Sequence, residues 1–262
     1  MMASALPFLF GLLAGALGGL MGVGGGIILV PLLVHALRAG QHEAQGTSLA
    51  FVTVTAVVAA FFYFRQGNLD FELGALLSLG AVPGVLLGAA WARRLAARRL
   101  RQAFGILMLA TAIRILVAVP APAGAVSLWP AALNVLLGVA VGCLGGLLGV
   151  GGGTILVPVL VLAERVPQHL AQGVSLLMIL PTGVVGAWSH ARHGHVNRAI
   201  LPALMAGGAL GAILGAVLAH RIQAPVLSML FALLLLPVSA QMIFGSGRGS
   251  ALDRRGRQGG IS

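Results

Sequence analysis

The sequence has no lysine, a single cysteine, a single tyrosine and five acidic residues in a length of 262, and charged residues of both signs make up only 8%. A soluble domain carries roughly a quarter of its residues as charges, so this chain cannot cover a water-facing surface. With Cys143 alone, neither an intrachain disulfide nor a thiolate metal cluster is available. Without lysine the glycine clusters described below cannot form a Walker phosphate loop, which removes ATP as their ligand. The acids Glu43, Asp70, Glu72, Glu164 and Asp253 all fall in or beside loops or in the tail. A proton relay built on a carboxylate in mid-span is therefore not visible, and any coupling rests on histidine, on protonation of the substrate or on facilitated flow.

What fills the chain instead is hydrocarbon. Hydrophobic residues reach 59% and the mean hydropathy is +1.03. Apolar runs occupy about 5–37, 47–64, 71–92, 102–119, 126–163, 173–189, 199–219 and 225–244. They are long enough to cross, or nearly cross, about 30 Å of bilayer core. None shows the alternation that barrel strands require, and only helices or closed barrels satisfy their backbone in lipid, so the expected fold is an all-α polytopic membrane protein. Residues 5–20 could pass for a secretory signal, but no basic residue precedes them and their counterpart lies mid-chain, where no signal could act.

That counterpart belongs to a repeat. GGLMGVGGGIILVPLLV at 18–34 returns as GGLLGVGGGTILVPVLV at 145–161, an offset of 127 residues. The same offset carries His42 onto His169, Gln45 onto Gln172, Ser48 onto Ser175, Arg65 onto Arg192, Gly67 onto Gly194, Gly84 onto Gly211 and Phe104 onto Phe231. Two gapless copies of about four transmembrane helices each are expected, 1–125 and 126–244, followed by a disordered basic cytoplasmic tail, 245–262. Duplicated membrane units of this kind build secondary transporters.

The sixteen basic residues are all arginine, and they sit in short loops and the tail. This is the pattern of cytoplasmic loops beside spans; no folded basic face exists to hold nucleic acid. The first run of each copy is too long for one span and carries GVGGG in its middle. If each run folds back as a hairpin, the copies are inverted. Arg38, the five arginines of 93–101, Arg192, Arg198 and the four tail arginines then share one side, against Arg65, Arg165 and Arg221. If each run crosses once, the copies are parallel and the bias nearly vanishes. The inverted arrangement is expected.

At each break, glycines can take positive φ and bring bare N–H groups to a ligand, while the apolar stretch after them starts a new helix whose end attracts anions. Gly22, Gly24, Gly25 and Gly26, with Gly149, Gly151, Gly152 and Gly153, are the candidate contacts; close helix packing is the alternative role. Leucine at Gly25 or Gly152 is expected to block transport while leaving expression intact. Pro31 and Pro158, in the helices that follow, should bend them unless they fall in the first turns.

GLMGVGGGIILVPLL and GLLGVGGGTILVPVL, each followed by a Gln-Gly-(Thr/Val)-Ser segment (44–48 and 171–175), resemble the sulfite exporter TauE/SafE family, also called the 4-toluene sulfonate uptake permease family. The resemblance covers 5–244. It implies a multi-pass plasma-membrane transporter of small anions, commonly sulfur oxyanions or organosulfonates and in some members small carboxylates, working without a cofactor. The partners it implies are the anion and the lipid bilayer.

Gln45, Thr47 and Ser48, with Gln172 and Ser175, are neutral hydrogen-bonding groups that suit an oxyanion, or alternatively cap helices. Thr47 aligns with Val174, so the site is not fully symmetric. Arg114 is the one charge inside an apolar run, close enough to its end to snorkel. His190, His193 and His195 could bind a metal or sense pH. Their counterparts Tyr63, Gln66 and Asn68 set them outside any shared mechanism, and no metal site is expected. A transporter is the favoured function. An accessory membrane subunit and an intramembrane enzyme are the alternatives, the last lacking HExxH or a serine with a helical histidine partner.

Overall fold

The computed structural model describes residues 2–91, scattered positions between 102 and 117, and residues 129–244. Its regular elements are α1 (Met2–Met21), α2 (Gly26–His35), α3 (Gln41–Arg65), α4 (Phe71–Trp91), α5 (Ala131–Leu148), α6 (Gly153–Leu162), α7 (Gln168–Arg192), α8 (Leu201–Ala219) and α9 (Ala224–Phe244). There is no strand among the described residues. Helices α3, α4, α5, α7 and α8, with Ala224–Gln241 of α9, are six segments long and apolar enough to cross a membrane. The arginine cluster 93–101, Phe104, Arg114 and the tail 245–262 lie outside the described residues.

Both long first runs are broken at their glycines. Helix α1 stops because Gly22 takes φ 67°, which turns the Val23 N–H back onto the Gly18 carbonyl at 3.0 Å. Helix α5 stops in the same way, with Gly149 at φ 72° and Val150 N–H on Gly145 at 3.2 Å. Only glycine adopts this left-handed cap without a Cβ penalty. The chain then folds back, so that Gly25 packs on Ala14 and Gly18 on Gly24 and Gly25. The returning helices α2 and α6 have 10 residues each, about 15 Å, half the hydrocarbon thickness.

Helices α3 and α7 run antiparallel through the centre. Leu49 meets Gly186, Thr53 meets Gly183, and Tyr63 hydrogen-bonds Gln172. Outside them α1 packs along α8, and α5 along α4. A row of small residues lets these backbones touch. Gly80, Gly84 and Gly88 face Val135, Val139 and Cys143, while Gly207, Gly211 and Gly215 face Phe8, Leu12 and Ala16. A Cβ on any of the six would enter a carbonyl of the facing helix, so the close approach depends on glycine. Side chains such as Leu9, Leu13, Phe61, Leu79 and Leu214 point outward and are exposed, the surface expected of a bundle solvated by lipid.

Candidate functional site at the two glycine breaks

The breaks 22–26 and 149–153 are fully buried and lie against each other between α3 and α7. Gly24 and Gly25 hold φ 73° and 85°, and Gly151 and Gly152 hold 76° and 81°. A left-handed residue followed by a helical one points successive N–H groups into one concavity, the backbone nest that accepts anions. Ile28 and Leu29 donate to the Gly25 carbonyl, and Ile155 and Leu156 to that of Gly152, so the N–H groups of Gly26, Ile27, Gly153 and Thr154 head helices α2 and α6 without an intrahelical acceptor. Thr55 donates its hydroxyl to the Gly24 carbonyl at 2.7 Å, and Ser48 reaches the Gly26 carbonyl at 3.5 Å. Two carbonyls of the first break are thus engaged from α3.

Where a side chain would grow from Gly26 it would meet Val52, Ser48 Oγ at 3.0 Å and the Val150 Cα at 3.1 Å; from Gly153 it would meet Ser175 Oγ at 2.6 Å, Ile179 and the Val23 Cα at 3.1 Å. The hydroxyl of Ser175 is fully buried and has no hydrogen-bond partner, as is that of Thr154 on the first turn of α6. Burying a hydroxyl unpaired is costly, and both groups lie at or beside the start of α6. Val52 and Ile179 fill the space between the breaks, each touching both Gly24 and Gly151. An open groove of 330 Å³ runs along α2 beside α9, lined by Ile27, Pro31, Leu32, His35, Val238 and Gln241.

The sequence-expected residues separate into two groups. Gly24, Gly25, Gly26, Gly151, Gly152, Gly153, Ser48 and Ser175 converge on the centre. Gln45 and Gln172 instead act as latches: Gln45 Nε2 donates to Leu147 at 3.2 Å and Gln172 Nε2 to Leu20 at 3.4 Å, each holding the end of the other half's broken helix. Gly22 and Gly149 are the flat surfaces on which Gln172 and Gln45 lie. Thr47 is turned away, its Oγ1 accepting the Asn197 N–H at 2.9 Å. Gly25 also packs on the Ala14 backbone with positive φ, so leucine there would disrupt folding as well as any binding. Pro31 and Pro158 fall at the sixth position of their helices, past the first turn. Thr55, Tyr63, Val52, Ile179 and Thr154 were not singled out from the sequence. Thr55 aligns with Thr182 and Val52 with Ile179 at the 127-residue offset, a signal that was available.

At the end of the molecule where α3 finishes and α7 begins, the Tyr63 hydroxyl oxygen lies 3.2 Å from the Gly19 carbonyl, and His220 lies edge-on to its ring at 4.6 Å. Burial pushes the His220 imidazole below its usual range; a 2.6 Å contact with the Ala216 carbonyl opposes this and His169 adds to it. Glu164, between α6 and α7, is completely buried although it sits in a connection. Among the described residues no group of three or more His, Cys, Asp or Glu side chains is arranged to hold a metal ion.

Comparison with known proteins agrees with this architecture. The family profile described as Sulfite exporter TauE/SafE matches residues 133–261. A probable membrane transporter protein of Xylella fastidiosa (strain Temecula1) is 30% identical over 87% of this chain and 90% of its own length. The probable membrane transporter protein YunE of Bacillus subtilis is 28% identical over 93% of this chain and 98% of its own. The probable membrane transporter protein MJ0441 of Methanocaldococcus jannaschii is 29% identical over 71% and 72%. No solved structure matches. These relatives are described as membrane transporters rather than enzymes.

Proposed function

The chain belongs to the sulfite exporter TauE/SafE family of multi-pass membrane transporters, and from that premise we propose that it carries small anions, sulfite, organosulfonates or related sulfur oxyanions, as a secondary transporter. The anion sits between the two glycine breaks. The observation that carries this reading is the meeting, in a fully buried centre, of two helix starts with spare N–H groups and the unpartnered hydroxyl of Ser175. Helix starts and oriented amides attract an anion without a formal positive charge, which keeps the hold weak enough for release.

Two inverted halves, 1–125 and 126–244, deliver the anion alternately to each side. Supporting this, the left-handed positions Gly22, Gly24, Gly25, Arg38 and Gly67 recur 127 residues on as Gly149, Gly151, Gly152, Arg165 and Gly194. The contacts recur in exchanged form, Gly22 on Gln172 and Gly149 on Gln45, and α3 faces α7 antiparallel. Asn197 on Glu43, at 2.7 Å, puts the α7–α8 loop with its Arg192 and Arg198 at the end where α3 begins, next to Arg38. Counting arginines makes that end cytoplasmic. The test is uptake of isotope-labelled sulfite by liposomes containing only this chain, with sulfoacetate, sulfate and acetate as competitors. Saturable flux inhibited by sulfonates supports the reading; absence of flux for all four anions refutes this substrate class and leaves the accessory role.

A further inference from the structure

The two ends of the α3–α7 pair are closed by different chemistry. At one end Tyr63 bonds Gln172 and reaches the Gly19 and Leu20 carbonyls. At the other, the residue 127 positions on is His190, 8% exposed, and neither of its ring nitrogens has a hydrogen-bond partner. Its Cβ lies 2.8 Å from where Gly46 would carry a side chain, so the ring is pressed onto the first turns of α3. A line of imidazoles leads to it from water. His42, exposed on α3, stacks on His195 at 5.3 Å; exposed His193 is 6.2 Å from His195; and His195 is 6.0 Å from His190.

Among the described residues, the other charges at this end are occupied or turned out. Glu43 of α3 accepts from Asn197 Nδ2, Arg192 lies over the Trp188 ring at 4.3 Å, and Arg192 and Arg198 are exposed. His35 bonds the carbonyl of Pro31 in its own helix, and Arg38 is exposed in the loop that follows. Helix α4 and the first turns of α8 bring no titratable side chain here among the described residues.

We propose that His42, His193, His195 and His190 form a proton-binding site that opens this end of the transporter and couples proton movement to anion transport, an inference that rests on the transport reading above. Imidazole is the side chain whose ordinary titration falls near neutrality. A neutral His190 tolerates its apolar seat. Once protonated, it is a buried cation beside three other imidazoles with no acceptor, and the arrangement is relieved by parting the 193–197 loop from the start of α3. Bonds that cross this contact include Asn197 N–H to Thr47 at 2.9 Å and Asn197 Nδ2 to Glu43 at 2.7 Å. At the opposite end the counterpart of His190 is Tyr63, which takes up no proton here, and the nearby His220 keeps the Ala216 carbonyl as a partner. The proton is taken up and given back unchanged, so no other reactant is needed.

Hydrogen exchange of the purified full chain reads the opening without any substrate. After correction for intrinsic rates, amides 193–197 should exchange roughly tenfold faster at pH 5.5 than at pH 7.5, a larger response than that of amides 66–70 at the other end. In His190→Tyr, which installs the counterpart residue, the response should vanish. If that variant does not fold, His42→Gln, at an exposed position, should shrink the response. The same response in these variants as in wild type overturns the site. Coupling is read in vesicles with an internal pH dye: a sulfite gradient should move protons in wild type, and the protons moved per labelled sulfite should fall in His190→Tyr. Exchange that responds to pH without proton movement overturns coupling. Absence of sulfite flux in wild type refutes the transport reading instead, and the exchange result then stands by itself.

Discussion

Tyr63 donates its phenolic hydrogen to Oε1 of Gln172 over 3.0 Å, tying the last turn of α3 to the second turn of α7, and both side chains are completely buried. Gln172 in turn holds the Leu20 carbonyl at the end of α1, so one hydroxyl supports the whole closure at this end. Tyr63→Phe keeps the ring packing and leaves the Gln172 oxygen unpaired, at a cost of about 1–3 kcal/mol. A lower thermal midpoint in detergent, with flux retained at low temperature, is the expected outcome; an unchanged midpoint would mean the bond contributes nothing.

Val52 and Ile179 stand between the breaks, each in contact with Gly24 and Gly151. Shortening Ile179 to valine, the residue its counterpart already has, should cost about 0.5–1.5 kcal/mol in stability. One methylene in such a position discriminates ligands by roughly tenfold or more. Flux of 4-toluenesulfonate relative to sulfite should therefore rise, and an identical ratio in the variant would show that this pair does not limit substrate size.

Arg38 and Arg165 occupy equivalent left-handed positions, φ 54° and 57°, in the connections before α3 and α7. In a Cys143→Ala background, cysteine at 38 should react with an impermeant maleimide from the cytoplasmic face and cysteine at 165 from the opposite one. Labelling of both from one face would contradict the inverted halves.

His220 follows α8 directly, and burial lowers its proton affinity in the folded state. A depressed value means that the folded state binds the proton less well than the unfolded chain. The stability present above pH about 6.5 is therefore lost as pH falls toward the folded-state value. Thermal melts of wild type should show a midpoint that drops between neutral and mildly acid pH, and His220→Gln should flatten that part of the profile; an equal drop in the variant would assign it to other groups.

The all-helical fold and the breaks were legible because hydrocarbon length and clustered glycine are local properties of the chain. Gly22 and Gly149 end their helices where the GVGGG motifs place them. The division of labour within the motif was not legible, since it is set by which helix lies opposite. Gln45 and Gln172 share the chemistry expected of an anion ligand, yet their amides are taken by Leu147 and Leu20. Thr47 faces the Asn197 loop because of its register on α3, one residue from Ser48, which faces the break. His42 joined the histidines of the α7–α8 loop only through the antiparallel pairing of α3 with α7.

The central claim, that an anion binds between the breaks, is tested most directly by calorimetric titration of sulfite into the detergent-solubilised wild type and Ser175→Ala. The buried hydroxyl has no partner of its own, so its removal should leave the thermal midpoint unchanged or raised. Because it would donate to a charged oxygen, affinity should fall by roughly ten- to a hundredfold. Equal sulfite affinity in the two proteins would contradict the account and place the anion elsewhere.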